Sequence, residues 1–335
     1  MLRVIALAVV TMVSVATQAA LPPAVFGGRS LLNAHNAYPE DGQWRDRLDR
    51  AVATGQFPIV IEQDVAFAPG RRPGEQSVLS HDVVLDGGEP SLHEHFFTRV
   101  RPIMEPALRA GLRERWPLFV LHLDFKTNET AHHRAVWDLL RQHEEWLTTA
   151  PAGADASQVS AFKPGPLLVL TENGADQETD FSSWAAAHGS HLLFGSIPGP
   201  EVARSDDPAE RARLMLNASP AALVPAAATS YRRWVNFPWM AVEAGGPTNA
   251  GPWTRDDERR LEQIVDYTHG QGLLIRFYTL NGHTAARNQG WTASYNFGSL
   301  DAVRMRWRAA IRSGVDLIAT DQYEELAAVL RATRR

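Results

Sequence analysis

Two acids one residue apart, Glu62 and Asp64, sit inside the apolar stretch Pro58-Ile59-Val60-Ile61-Glu62-Gln63-Asp64-Val65. Such β-branched runs favour strands, and strand side chains two apart share a face. Two carboxylates held side by side repel and require a shared proton or a cation, unless the strand end simply reaches solvent. A third acid, Asp124, lies in another apolar run, residues 118–126. The 335-residue chain has no cysteine, so thiol nucleophiles, thiolate ligands and disulfides drop out. Glu62, Asp64 and Asp124 form an all-oxygen set that favours one Ca²⁺ or Mg²⁺ over zinc.

Other groups suit the same chemistry. Imidazole titrates near neutrality, so of His35 and His81 one can accept a proton while the other donates. Lys126 is a compact charge for a phosphate oxygen or a developing anion. It stands out because only two of the 33 basic residues, Lys126 and Lys163, are lysine. Each residue taken singly also has a structural reading: a hydrogen-bonded core histidine, a strand-end His81-Asp82 pair, a surface lysine. Glu172 lines a pocket or merely ends a strand. Trp234 and Trp239 stack on a substrate or lipid, or pack a rim. A divalent ion neutralises a phosphate and polarises its oxygens, so the set together spells metal-assisted phosphodiester cleavage.

The elements that must position these residues alternate between strand and helix. Apolar spacing at Trp44, Leu48, Ala51 and Val52 marks a helix, with Gly55 as its C-terminal glycine. Strands are expected near residues 30–34, 59–65, 118–126, 166–171, 191–196, 223–230, 273–280 and 315–320. Residues 77–81 form a hairpin partner after the Pro/Gly-rich turn at 68–74. Thr254 reads as a helix N-cap. Eight β/α units predict a single (β/α)8 TIM barrel, with a doubly wound sheet as the alternative. No G-x-G-x-x-G loop supports that alternative. In a barrel the chemistry sits at the C-terminal strand ends, where His35, Glu62, Asp64, Asp124, Lys126 and Glu172 fall. His93-Glu94-His95 is expected to be a solvated helix start, and His132-His133 a surface pair.

A net charge of −5 with no basic run points away from nucleic acid. Arg3, the apolar run 4–15 and the small residues 16–20 have the layout of a secretory signal, giving residues 1–20 as signal peptide and 21–335 as the barrel domain. The expectation is export to the periplasm or beyond. Arginine in place of lysine and abundant alanine suggest a high-GC bacterial genome.

The order His35-Asn36, Glu62-x-Asp64, His81-Asp82, Asp124-x-Lys126 resembles the phospholipase C-like phosphodiesterase superfamily, which includes glycerophosphodiester phosphodiesterases, phosphatidylinositol-specific phospholipases C and sphingomyelinases D. Its closest likeness is to the branch of the altered inheritance of mitochondria protein. That branch has His-Asn-Asp-Tyr where this chain has His35-Asn36-Ala37-Tyr38. Residues 275–278 and 314–321 resemble the family's last two strands. The resemblance implies a (β/α)8 barrel, catalytic His35 and His81, and calcium or magnesium on the three acids. It also implies substrate contacts from Asn36 and Lys126. The expected substrate is a small phosphodiester or lipid head group, handled by a monomer with peripheral membrane contact. Alternatives are a phospholipase D-like lyase on sphingomyelin or lysolipids, and a barrel that binds phosphate or a partner without turnover. A two-carboxylate glycosidase would leave His35, His81 and Lys126 unexplained.

Overall fold

The computed structural model describes residues 29–40, 42–153, 159–201, 204–284 and 293–333. The expected signal peptide, residues 1–20, lies outside the described residues. Strands β1 (Leu31–Ala34), β2 (Ile59–Phe67), β3 (Ser77–Leu79), β4 (Phe119–Phe125), β5 (Ala150–Pro151) and β6 (Leu167–Thr171) occupy the first half. They are followed by β7 (Ser190–His191), β8 (Phe194–Ser196), β9 (Arg232–Pro238), β10 (Leu274–Tyr278) and β11 (Leu317–Thr320). Eight of them pair in parallel in the order β1-β2-β4-β6-β8-β9-β10-β11. The sheet closes because β1 pairs with both β2 and β11, with Leu31 opposite Leu317. This is a single (β/α)8 TIM barrel, and closure rules out the open doubly wound sheet. Strand β3 returns antiparallel on β2, as the turn chemistry requires. Strands β5 and β7 make a separate small pair.

Helices α1 (Arg47–Ala53), α2 (Arg99–Ala110), α3 (Thr130–Gln142), α4 (Gln177–His188), α5 (Pro208–Asn217) and α6 (Pro220–Leu223) surround the barrel. The last three are α7 (Arg255–Gly270), α8 (Leu300–Arg312) and α9 (Tyr323–Thr333). Helix α1 ends at Gly55, whose φ of 65° is left-handed and free of Cβ strain only for glycine. Thr254 caps α7 through a reciprocal capping box with Asp257.

Period-two alternation divides every barrel strand between two cores. Leu31, Val60, Val120, Leu168, Leu170, Phe194, Trp234, Leu274 and Leu317 face inward and fill the barrel. Their neighbours Leu32, Ile59, Ile61, Phe119, Leu121, Val169, Val235, Ile275 and Ile318 pack outward against the helices. Each fully buried Val, Leu, Ile or Phe contributes about 1.5–3 kcal/mol from area removed from water. Two residues further along the same inward faces, the side chains become polar: Asn33, Glu62, His122, Asn236 and Arg276. The apolar plug is therefore the floor on which the polar residues stand.

Three expectations need correction. Residues 223–230 are not a strand. Pro220 and Ser219 start the short helix α6, Ser219 capping it, and the strand begins at Arg232. His132 and His133 are not surface residues but fully buried. His132 accepts or donates between Ser77 Oγ and Thr127 Oγ1, and His133 Nδ1 lies 2.7 Å from Asp180. Helix α3 is covered by the hairpin on one side and α4 on the other, so adjacent residues pointing about 100° apart are both enclosed. His95 likewise is buried, its Nε2 against Ala37 O, while His93 is partly covered.

Candidate active site

At the C-terminal mouth of the barrel lies a cavity of about 450 Å³. His35, Asn36, Glu62, Asp64, His81, Asp124, Lys126 and Glu172 all line it, brought from β1, β2, the loop after β3, β4 and the end of β6. Strands β2 and β4 pair so that Asp64 stands directly opposite Asp124, and Glu62 opposite His122. Gln63, between the two acids, points the other way and donates from Nε2 to Ala37 O at 2.8 Å. One oxygen each of Glu62, Asp64 and Asp124 lies within 4.8 Å of the others.

Electrostatics differ sharply among these acids. Glu62 and Asp64 are almost wholly buried. Burial pushes the Glu62 carboxyl up, but Arg276, His35, His122 and Lys126 outweigh it and hold the pKa down at about 2. Arg276 Nη2 donates to Glu62 Oε2 at 2.5 Å, with its other nitrogens on Asn33 and Asn236. Asp64 goes the other way. Burial and the facing Asp124 raise it to about 8, despite Lys126. Lys126 Nζ sits 2.8 Å from both Asp64 Oδ2 and Asp124 Oδ2. Burial works against that ammonium, but the two acids raise its pKa.

His35 is held from behind. Its Nδ1 lies 3.0 Å from Asp321 Oδ1, just past the end of β11. A carboxylate only accepts, so Nδ1 carries the hydrogen and Nε2 remains the other proton-exchanging atom. Asp321 also accepts from Arg47 Nη1 at 2.8 Å and from Asn281 Nδ2 at 2.5 Å. Burial raises the Asp321 carboxyl, but His35 and Arg47 bring it down to about 2. Burial disfavours the charged ring of His35, yet Glu62 and Asp321 more than offset it and raise its pKa. The Tyr323 hydroxyl donates to the His35 carbonyl at 2.6 Å, fixing the backbone. His81 stands at the exposed mouth, where partial burial and Lys126 lower its pKa. Its backbone N–H donates to Glu40 Oε2 at 3.1 Å, tying the loop to the segment after β1.

Glu172 lines the cavity and accepts from Asn236 Nδ2 at 2.9 Å, with His122 Nε2 at 3.2 Å. Asn36 takes a left-handed φ of 47°, a conformation that asparagine tolerates better than most residues, and its side chain reaches the cavity. Trp234 is a correction. It does not line the cavity but is fully buried inside the barrel, donating from Nε1 to Thr171 O at 2.9 Å. Trp239 is also fully buried. Ala37, where the resembled branch has an acid, packs in the outer core and away from the cavity.

The sequence reading missed Asp321, Arg276, Asn236 and His122. It also missed the aromatic lining residues Trp44, Tyr278 and Tyr295. Arg276 and Asp321 lie inside the stretches likened to the last two strands, so alternation along those strands was the available signal.

No protein-family profile matches this chain, and no curated protein matches it. Solved structures that align with it include a glycerophosphoryl diester phosphodiesterase from Parabacteroides distasonis, at 13% identity and TM-score 0.42, covering 91% of this chain and 87% of that one. Another is Rv1207 of Mycobacterium tuberculosis, at 15% identity and TM-score 0.38, covering 91% and 90%. A third is the dihydropteroate synthase of Thermus thermophilus, at 16% identity and TM-score 0.37, covering 92% and 94%. At such identities and superpositions none of them bears on what this chain does. Among the described residues no helix is long and apolar enough to cross a membrane.

Proposed function

We propose that this protein is a metal-dependent phosphodiesterase that hydrolyses a phosphodiester, of glycerophosphodiester or phosphoinositide-like head-group type, by general acid–base catalysis with His35 and His81. The observation that carries the reading is the convergence in one cavity of a buried carboxylate triad with an imidazole held by a second carboxylate.

The donor set fits a hard divalent ion. Three carboxylates can each offer one oxygen, and Asp64 is poorly accommodated as a bare anion. The cavity as a whole carries six acidic side chains, Glu40, Glu62, Asp64, Asp82, Asp124 and Glu172, which outnumber the two permanent cations, Lys126 and Arg276, even with Asp64 protonated. That balance repels a phosphodiester anion unless added positive charge is present. Glu62, Asp64 and Asp124 would hold the ion, either Ca²⁺ or Mg²⁺. When bound, it neutralises the phosphate and polarises its oxygens.

The chain's own residues supply the rest. Asp321 fixes the His35 ring and stabilises its protonated form, so Nε2 exchanges the proton. His81, across the cavity mouth, is the partner: one ring takes the proton of the attacking oxygen while the other protonates the leaving oxygen. The attacking oxygen belongs to water or to a substrate hydroxyl beside the phosphorus. Lys126 and Asn36 orient phosphate oxygens. The departure at Ala37 lies outside the cavity and takes no group away from this scheme. Residues 1–20 support export to the periplasm or beyond, and the exposed mouth supports head-group access at a membrane surface.

The test is phosphorus NMR of purified protein with glycerophosphodiesters, phosphatidylinositol and sphingomyelin, with magnesium or calcium and with a chelator. Cation-dependent release of a phosphomonoester supports the proposal. A cyclic phosphate as the end product moves the assignment to the lyase. No turnover on the whole panel, with metal and phosphate still bound, moves it to a binding barrel.

A further inference from the structure

Lys126 is placed where two roles compete for it. Its backbone N–H is fixed on Val65 O at 2.8 Å, just beyond the end of β4. Its four-carbon stem carries the ammonium away from that anchor into the cavity mouth. The ammonium lies 2.8 Å from Asp64 and 2.8 Å from Asp124, between two carboxylates that the β2–β4 register sets face to face. Those carboxylates are two of the three on which a divalent ion would sit. An ammonium and a divalent ion crowd each other in that gap, because both would be held by the same two carboxylates and repel each other at close range. The lysine side chain is mostly covered, and the cavity is the open direction for it.

We infer that Lys126 is a built-in place-holder: its ammonium bridges Asp64 and Asp124, and entry of a divalent ion displaces it into the cavity, where it grips the anionic phosphate. This rests on the metal reading proposed above. It couples the two steps of loading. Without the metal, the lysine is spent on the carboxylates and the cavity repels phosphate. With the metal, one charge is added to the triad and a second is released toward the substrate. The arrangement also keeps two facing acids from forcing strands β2 and β4 apart before an ion arrives.

The experiment compares wild type, Lys126→Met and Lys126→Arg by titration calorimetry with Mg²⁺ and Ca²⁺ alone, then with inorganic phosphate in magnesium and in chelator. Removing the competing ammonium is expected to tighten divalent binding about tenfold. Its loss is expected to weaken phosphate binding to the magnesium-loaded protein by about tenfold or more. Lys126→Arg, which keeps the charge, is expected to stay near wild type in metal affinity. Wild type is expected to bind inorganic phosphate in magnesium and not in chelator, a readout that needs no variant. Lys126→Met is expected to melt at lower temperature than wild type in chelator and to recover in magnesium. Unchanged or weaker divalent binding by folded Lys126→Met overturns the inference and leaves the metal reading intact. Equal phosphate affinity of wild type with and without magnesium also overturns it. Absence of divalent binding in both wild type and Lys126→Met overturns the metal reading and this inference with it.

Discussion

Asp64 offers a quantitative test of cation binding. Its carboxyl is buried opposite Asp124, and burial and that facing acid raise its pKa to about 8. At pH 7 it is therefore mainly protonated, and an ion that needs the carboxylate must expel that proton. Divalent affinity should rise about tenfold per pH unit between pH 6 and 8, about 1.4 kcal/mol each, and level off above 8. Calorimetry in two buffers of different ionisation enthalpy counts the released protons directly. Asp64→Asn should bind the ion more weakly and release no proton at this position. The same shift fixes the sign of a stability change in chelator. A carboxyl whose folded pKa is raised contributes stability at low pH that is lost as pH rises from about 4 through about 8. Wild-type melting temperature in chelator should fall across that window, and the Asp64→Asn curve should be flatter. Affinity independent of pH from 6 to 8, or proton uptake on binding, would show that the ion does not displace a proton from Asp64.

Further outcomes follow from individual contacts. Asp321→Asn replaces the charged acceptor of His35 Nδ1–H by a neutral amide; turnover should fall about 10²–10⁴-fold, and the acid-limb pKa assigned to His35 in the rate profile should move down. Arg276→Met leaves Glu62 buried without its counter-ion and should cost about 3–5 kcal/mol in denaturant melts, with magnesium restoring more stability than it gives wild type. Trp234→Ala should destabilise by about 3–5 kcal/mol through the cavity it opens, while KM for any substrate stays close to wild type.

The sequence showed the triad because the strand period is two. With Val60 inward, Glu62 and Asp64 had to follow it, and Val120 carried His122, Asp124 and Lys126 to the same side. Barrel closure was legible from the alternation of strands and helices. Less legible was what closure brings together. Asp321 reaches His35 across 286 residues of chain, and Arg276 reaches Glu62 across 214; no local pattern encodes either contact. Trp234 was misread for a different reason. With the strand placed at 223–230, it fell on a rim loop; with the strand at Arg232–Pro238, the same parity that puts Asn236 in the polar layer puts Trp234 in the floor. The two histidines of α3 were misread because a polar pair on a helix suggests solvent, whereas this helix is enclosed on two sides and satisfies each ring with its own partner.

Glu62, Asp64 and Asp124 are proposed to hold jointly a cation that presents a phosphate to His35 and His81. A crystal structure grown with manganese or calcium and inorganic phosphate, with the ion located by anomalous scattering, tests it most directly. One ion is expected within about 2.0–2.6 Å of an oxygen from all three carboxylates. A phosphate oxygen should complete the coordination, with His35 Nε2 and His81 on opposite sides of the phosphate and Lys126 Nζ withdrawn from Asp64 and Asp124. An ion bound elsewhere, or phosphate in the cavity with Lys126 still between the two aspartates and no cation on the triad, would contradict it.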